Sequence, residues 1–253
     1  MTTVLPIDEA LPRLIDALRE TGHAVLQAPP GVGKTTRVPL AMLEAGLTEG
    51  KIIMLEPRRL ATRAAAARMA ETLGESIGDT VGYRIRGESK TSKSTRIEVV
   101  TEGILTRMIQ SDPSLNGVGA VIFDEFHERS LTGDLGLALA LDVQSSLRED
   151  LLLLVMSATL DGDPVAALLG GAPLITSEGR SFPVEVHWLE RPLSRETRFE
   201  RAMADMIRTV AGQTDGGMLA FLPGEGEIRR VMAALGDLDG IDILALYGAL
   251  PFK

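Results

Sequence analysis

Two glycines, a lysine and two hydroxyls stand in one short run, Gly31, Val32, Gly33, Lys34, Thr35 and Thr36, inside the stretch "LQAPPGVGKTTRVPL". Together these residue types suit the holding of a phosphate chain. Backbone N–H groups of a glycine-rich turn and of the following helix N-terminus form a positive cradle; a lysine reaches the outer phosphates, and a threonine hydroxyl binds magnesium. The usual spacing G-x-x-x-x-G-K-[ST] opens on glycine, and here that place is Ala28. The first position only shapes the start of the turn, so alanine serves if its φ stays negative. The competing reading is a glycine turn carrying a lysine by chance; an apolar strand before it and a helix after it favour the nucleotide site.

A magnesium nucleotide also needs a carboxylate at the end of a neighbouring strand, and its hydrolysis needs a group that positions water. "AVIFDEFHERS" offers both. Asp124 closes an apolar run and is the candidate to hold magnesium together with Thr35. Glu125 is the candidate to orient or deprotonate the attacking water. Taken alone, an acid pair after a strand is as often a solvated strand end. His127 follows at once, one of three histidines, and "HERS" lacks the second histidine of a H-E-x-x-H zinc site.

These residues need elements to position them. Residues 7–20 have the periodicity of an amphipathic helix, and "HAVLQA" (23–28) of a buried strand leading into the turn. A helix is expected from Lys34 to Ala45, a strand over "KIIMLE" (51–56), and an alanine-rich helix from Arg58 to Leu73 stopping at Gly74. "RIEVV" (96–100), "GAVIFD" (119–124) and "LLLLVM" (151–156) are continuous apolar runs, the composition of parallel strands covered on both faces. The expected fold is α/β, a doubly wound parallel sheet with its ligands beyond the carboxyl ends of the strands. "TSEGRSFP" (176–183) breaks the alternation, so the domains are expected to be 1–177 and 178–253. In the second, strands are expected at 184–190, 217–223 and 241–247, with helices from Arg195 to Ala211 and Glu225 to Leu235.

Composition narrows the class. The 253 residues hold no cysteine, which removes disulfides, thiolate zinc sites and thiol nucleophiles, and fits a reducing cytoplasm. No run of about 18 apolar residues and no signal-like start is present, so a soluble cytoplasmic protein without a membrane partner is expected. The net charge of −9 argues against nucleic-acid binding by the overall field. Local arginine runs (Arg58, Arg59, Arg63 and Arg68; Arg84 and Arg86) are either solvated faces or a binding patch.

The ordered set of stretches resembles the superfamily 2 helicases and, within them, the DEAH-box group, most nearly its bacterial HrpB-type branch. "APPGVGKT" resembles the family's A-x-x-G-x-G-K-T motif, alanine included. "EPRRLAT" (56–62), "TEGIL" (101–105), "DEFH" (124–127) and "SAT" (157–159) follow in the family's order, with Phe126 where the box usually has alanine. "VGYRIRGE" (81–88), "FLPG" with "EI" (221–228) and "LYGALP" (246–251) fit the same group.

The resemblance implies a RecA-like first domain and a truncated second one, ATP and Mg²⁺ as ligands, and single-stranded nucleic acid, RNA by expectation, as partner of a monomer. It implies that Lys34, Thr35 and Thr36 with the loop glycines bind triphosphate and magnesium. Asp124, Glu125 and His127 would serve hydrolysis, and His127, Ser157 and Thr159 would couple it to domain movement. Arg58, Arg59, Thr101, Glu102 and Gly103 would track the strand backbone, and Arg68 would stack on adenine. Two further family motifs, one carrying paired arginines for the γ-phosphate, do not occur in the sequence. A fragment of a longer protein is therefore expected, binding nucleotide but hydrolysing it poorly, since an arginine finger is worth about 10³ to 10⁵ in rate. Two alternatives remain: a nucleotide-switched RNA- or protein-binding module without unwinding activity, and a P-loop ATPase acting on small molecules or proteins.

Overall fold

The computed structural model describes residues 4–158, 162–179, 183–194 and 196–248. The chain separates into two compact units, Met1–Phe182 and Pro183–Lys253.

The first unit opens with a 3-10 turn (Pro6–Glu9) and α1 (Leu11–Thr21), where one helix over 7–20 was expected. Pro12 explains the break, since its ring and missing N–H fit only the first turn of a helix. Then follow β1 (His23–Gln27), α2 (Lys34–Glu44), β2 (Lys51–Glu56) and α3 (Arg59–Leu73), the last closed by Gly74 at φ 70°. β3 (Val81–Ile85) and β4 (Glu88–Lys90) form an antiparallel edge hairpin. β5 (Ile97–Thr101), α4 (Glu102–Ser111), β6 (Val118–Phe123), α5 (Leu131–Ser146), β7 (Leu152–Ser157), α6 (Gly162–Leu168) and β8 (Leu174–Thr176) complete it. The strand order is β4-β3-β5-β2-β6-β7-β1-β8, and every pair except β3 with β4 is parallel.

Alternation within the strands builds two cores. Leu26, Ile52, Met54, Val99 and Ile122 face α1, α2 and α3; Val25, Ile53, Leu55, Val100 and Phe123 face α4, α5 and α6. This is why the strands read as unbroken apolar runs: both faces are covered, and every residue of β6 is buried. The expected α/β doubly wound sheet is present.

The second unit contains α7 (Phe199–Ala211) and α8 (Glu225–Leu235), packed through Ala204, Val231 and Leu235. The three strands expected at 184–190, 217–223 and 241–247 are not formed among its described residues, where the sole pairing is an isolated bridge between Leu238 and Ile241. Val184, Trp188, Phe221 and Leu244 are exposed accordingly. Apolar composition permits a strand, but a ladder requires a neighbour to take its backbone donors and acceptors, and these segments do not pair with one another.

Candidate nucleotide and strand site

Parallel strands bring their carboxyl ends to one rim of the sheet. Register fixes who sits beside whom there: Thr101 pairs with Glu56, Leu55 with Phe123, Phe123 with Val155, and Ser157 with Gln27. Along the rim the order is therefore Thr101, Glu56, Asp124, Ser157 and the turn after β1. Residues expected at a strand backbone lie at one end of this row, and those expected at a nucleotide lie at the other.

The turn after β1 has the geometry of a phosphate cradle. Gly31 and Gly33 take φ of 79° and 97°, values that side chains rarely adopt. A Cβ on Gly31 would meet nothing within 4 Å, so backbone conformation and not space sets the need for glycine there. Among the described non-glycine residues only Leu115, Glu125 and Arg129 have positive φ, so Ala28 keeps the backbone that alanine tolerates. Its N–H donates to the Ser157 carbonyl at 2.9 Å, which ties the start of the turn to the end of β7. The Val32 side chain is buried, leaving its backbone as the functional part. On the outer side, Leu5 packs where a Cβ of Gly33 would stand, and Asp8 accepts from Arg37 at 2.9 Å.

Two contacts join this turn to the acid pair across β7. Lys34 Nζ donates to Glu125 Oε1 at 3.0 Å, and Thr35 Oγ1 donates to Asp124 Oδ2 at 2.6 Å. Thr36 turns its hydroxyl back to the Gly33 carbonyl. Lys34 and Asp124 are both buried, whereas Glu125 keeps partial access to solvent. His127 Nδ1 accepts from the Ala158 N–H at 3.2 Å; in the neutral ring the proton then sits on Nε2, which faces Glu125 Oε2 at 3.3 Å. The box histidine thus touches the middle residue of the SAT stretch, beside buried Ser157; Thr159 lies outside the described residues.

Burial raises the Asp124 carboxyl above its ordinary range; the Thr35 hydrogen bond opposes this, Glu125 adds to it and Lys34 counters it. Glu56, the last residue of β2, is pushed up to about 9, first by burial, then by the charge of Asp124 and a hydrogen bond to it. Burial and the Asp124 charge thus favour the protonated form of Glu56 beside Asp124. Sequence reasoning did not single it out, although a carboxylate closing the apolar run "KIIMLE" was a visible signal.

The donor set fits magnesium: a hydroxyl and a carboxylate, both hard oxygen ligands. Among the described residues no cluster of three or more His, Asp or Glu is placed to hold a metal unaided. An ion that keeps its waters and leans on substrate phosphates needs none.

At the other end of the rim, α3 and α4 begin immediately after β2 and β5. Arg58 and Thr101 are their N-cap residues, and neither supplies a side-chain cap, so the first-turn N–H groups of both helices stay available to an anion. Arg59 and Gly103 are exposed. Arg58 Nη2 donates to Glu128 Oε1 at 2.7 Å. Glu102 is turned inward: its Oε2 accepts from Ser130 Oγ at 2.6 Å, which suits a brace rather than a contact with phosphate. Arg68 lies on the exposed side of α3 and pairs with Glu71 at 2.6 Å. No helix among the described residues is long and apolar enough to cross a membrane.

Comparison with known proteins agrees with this geometry. Residues 9–168 match the family described as DEAD/DEAH box helicase. The chain is 54% identical over 248 residues to the ATP-dependent RNA helicase HrpB of Escherichia coli, covering 97% of this chain and 30% of that protein. It is 35% identical over 251 residues to the HrpA homolog of Haemophilus influenzae, covering 97% of this chain and 19% of that one. The crystal structure of the Escherichia coli DEAH/RHA helicase HrpB superposes with a TM-score of 0.91 at 54% identity, over 97% of this chain and 31% of that one. The chain thus spans less than a third of the length of these relatives.

Proposed function

Since the chain belongs to the DEAD/DEAH box helicase family, we propose that its first unit is the ATP-binding half of a DEAH-type RNA helicase, which couples Mg-ATP hydrolysis to movement on a single strand. The observation that carries this reading is the double link between loop and acid pair, Lys34 to Glu125 and Thr35 to Asp124. The relatives named ATP-dependent RNA helicases support RNA as the strand. In this reading the second unit belongs to the partner RecA-like domain, and the protein works as a cytoplasmic monomer.

Thr35 and Asp124 would hold magnesium, which when bound neutralises charge on the outer phosphates. The chain's own residues do the rest. The turn N–H groups and the α2 N-terminus receive the phosphates. Lys34 exchanges Glu125 for the terminal phosphate, and this frees Glu125 Oε1 to accept a hydrogen bond from water in line with that phosphate. His127 holds Glu125 Oε2 and the SAT backbone together, so a change at the acid is felt at the end of β7. Arg58, Arg59, Thr101 and Gly103 offer guanidinium forks and free N–H groups to a phosphate backbone, which suits contact without sequence readout. Arg68 would cover the adenine face. Lys34 is the one cation in contact with the acid pair among the described residues, so residues 1–253 should bind Mg-ATP tightly and turn it over slowly for want of a second charge on the γ-phosphate.

The test is a titration of ATP with and without magnesium, followed by turnover with single-stranded RNA, single-stranded DNA and neither. Magnesium-dependent binding with slow turnover is expected. Failure to bind nucleotide, or brisk RNA-stimulated turnover by residues 1–253 alone, would count against the corresponding part.

A further inference from the structure

The segment after the acid pair is held in an unusual way. Residues Phe126–Glu128 form one 3-10 turn, bounded by Glu125 at φ 50° and Arg129 at φ 45°, both non-glycine residues in positive-φ backbone. Such backbone persists only where surrounding contacts impose it. Within it Phe126 is buried edge-on to Phe123 under the Arg129 guanidinium, which pairs with Asp134, and two further contacts reach it from the strand end of the rim. Ser130 donates to Glu102 and accepts from the Gly133 N–H at 2.8 Å, which fixes the far side of the turn at the start of α5. Glu128 reaches across to Arg58.

The second contact differs in kind from the first. Arg58 is 71% exposed and Glu128 34%, so their ion pair is solvated and contributes little. Arg58 is also the exposed N-cap residue of α3, beside the first-turn N–H groups offered above to a strand phosphate. Carboxylate and phosphate present the same pair of acceptor oxygens to an arginine fork. A phosphate diester can therefore replace Glu128 at little cost, and the released carboxylate, now beside a second anion, is driven away from it. Its neighbour in the turn is His127, which touches both Glu125 and the Ala158 N–H.

Resting on the strand-binding reading above, we propose that Glu128 is a strand-sensing positioning residue: it occupies Arg58 in place of a strand phosphate, and its displacement shifts the 126–128 turn that sets His127 against Glu125. Strand binding and the hydrolytic acid are thereby linked through a single exposed ion pair. The coupling requires a two-position element: Phe126 is fixed in the core against Phe123 and Arg129 is tied to Asp134, and between these two anchors the Glu128 side chain, held across the rim by the exchangeable Arg58 contact, is that element.

The experiment is a double-mutant cycle on the folded chain with Glu128→Gln, Arg58→Ala and both together, read by anisotropy of a labelled oligouridylate over a salt series. E128Q should tighten strand binding by about 2- to 5-fold, the value of an exposed pair, and only while Arg58 is present. R58A should reduce the salt slope by about one. In single-turnover hydrolysis, E128Q should shrink the ratio of strand-stimulated to strand-free rate. Unchanged affinity in E128Q, or equal tightening with and without Arg58, overturns the proposal while leaving the helicase reading intact. Absence of strand binding by the unsubstituted chain at every salt would overturn both. If E128Q does not fold, Glu128→Asp, which keeps the charge but shortens the reach, should tighten binding in the same Arg58-dependent way, and no change there also overturns it.

Discussion

Thr35 Oγ1 donates a hydrogen bond of 2.6 Å to Asp124 Oδ2, across 89 positions of sequence and an intervening strand, β7. A hydroxyl and a buried carboxylate this close share their remaining lone pairs with one space. Beside them Lys34 and Glu125 form a second bond of the same kind. The four groups act as one site, and their substitutions should separate into distinct failures.

Glu125→Gln preserves shape and removes the carboxylate proposed to orient water. We expect magnesium-dependent ATP affinity within a few-fold of the unsubstituted chain and turnover lower by about 10² or more. Lys34→Ala should instead lose ATP affinity by about 10-fold or more, the loss of a charge-assisted hydrogen bond to phosphate. Isothermal titration paired with phosphate release distinguishes the two; full turnover in E125Q would remove Glu125 from the reaction.

Gly33→Ala and Ala28→Gly test the turn from opposite ends. A Cβ at Gly33 would lie 2.6 Å from Leu5 Cδ1 and would sit on backbone at φ 97°. Destabilisation of about 1 to 3 kcal/mol, with impaired nucleotide binding, is expected. Ala28 is fully buried, so Ala28→Gly loses a methyl and gains chain entropy, about 1 kcal/mol in stability. Its nucleotide affinity should be unchanged, because the position only shapes the turn. Chemical denaturation with and without Mg-ATP reads both.

Glu56 imposes a pH dependence on the metal-free chain. Its folded-state value is raised above 4.5 to about 9, so the folded state binds the extra proton. The stabilising contribution is full below the unfolded value and is lost as pH rises through the folded one. For a single proton the slope is at most about 1.4 kcal/mol per pH unit. Glu56→Gln keeps a neutral amide donor and should flatten the decline on the alkaline side. Thermal melts in EDTA across that window, compared between the two chains, provide the check; parallel curves would mean that Glu56 is already ionised.

Hydrogen exchange should divide the molecule. Amides of β2, β6 and β7, buried and laddered on both sides, should exchange slowest. Amides of 217–222 and 242–247, which have no ladder among the described residues, should exchange near the rate of open chain. Strong protection there would show that these segments pair in solution.

How much of this was written in the sequence can be followed residue by residue. The cradle was legible because its chemistry is local: Gly31 and Gly33 must bend the chain, and Lys34 and Thr35 must follow at once. Strands β1, β2, β5, β6 and β7 were legible because burial on both faces demands unbroken apolar runs, whereas β3, β4 and β8, toward the sheet edges, carry no such run and were not legible as strands. Segments 184–190, 217–223 and 241–247 share that composition but lack neighbours, and composition does not record whether a neighbour is present.

Sequence alone determined which groups of this protein suit phosphate, metal and water. Only the tertiary structure decided which of them meet. Strand order sets β7 between β1 and β6 and still lets Lys34 and Thr35 reach the acid pair. It also stands Glu56 beside Asp124 and Glu128 beside Arg58. The reason is that parallel pairing and crossover connections are chosen by the packing of whole helices on a sheet, so contacts between distant side chains are consequences of register that no short stretch of sequence contains.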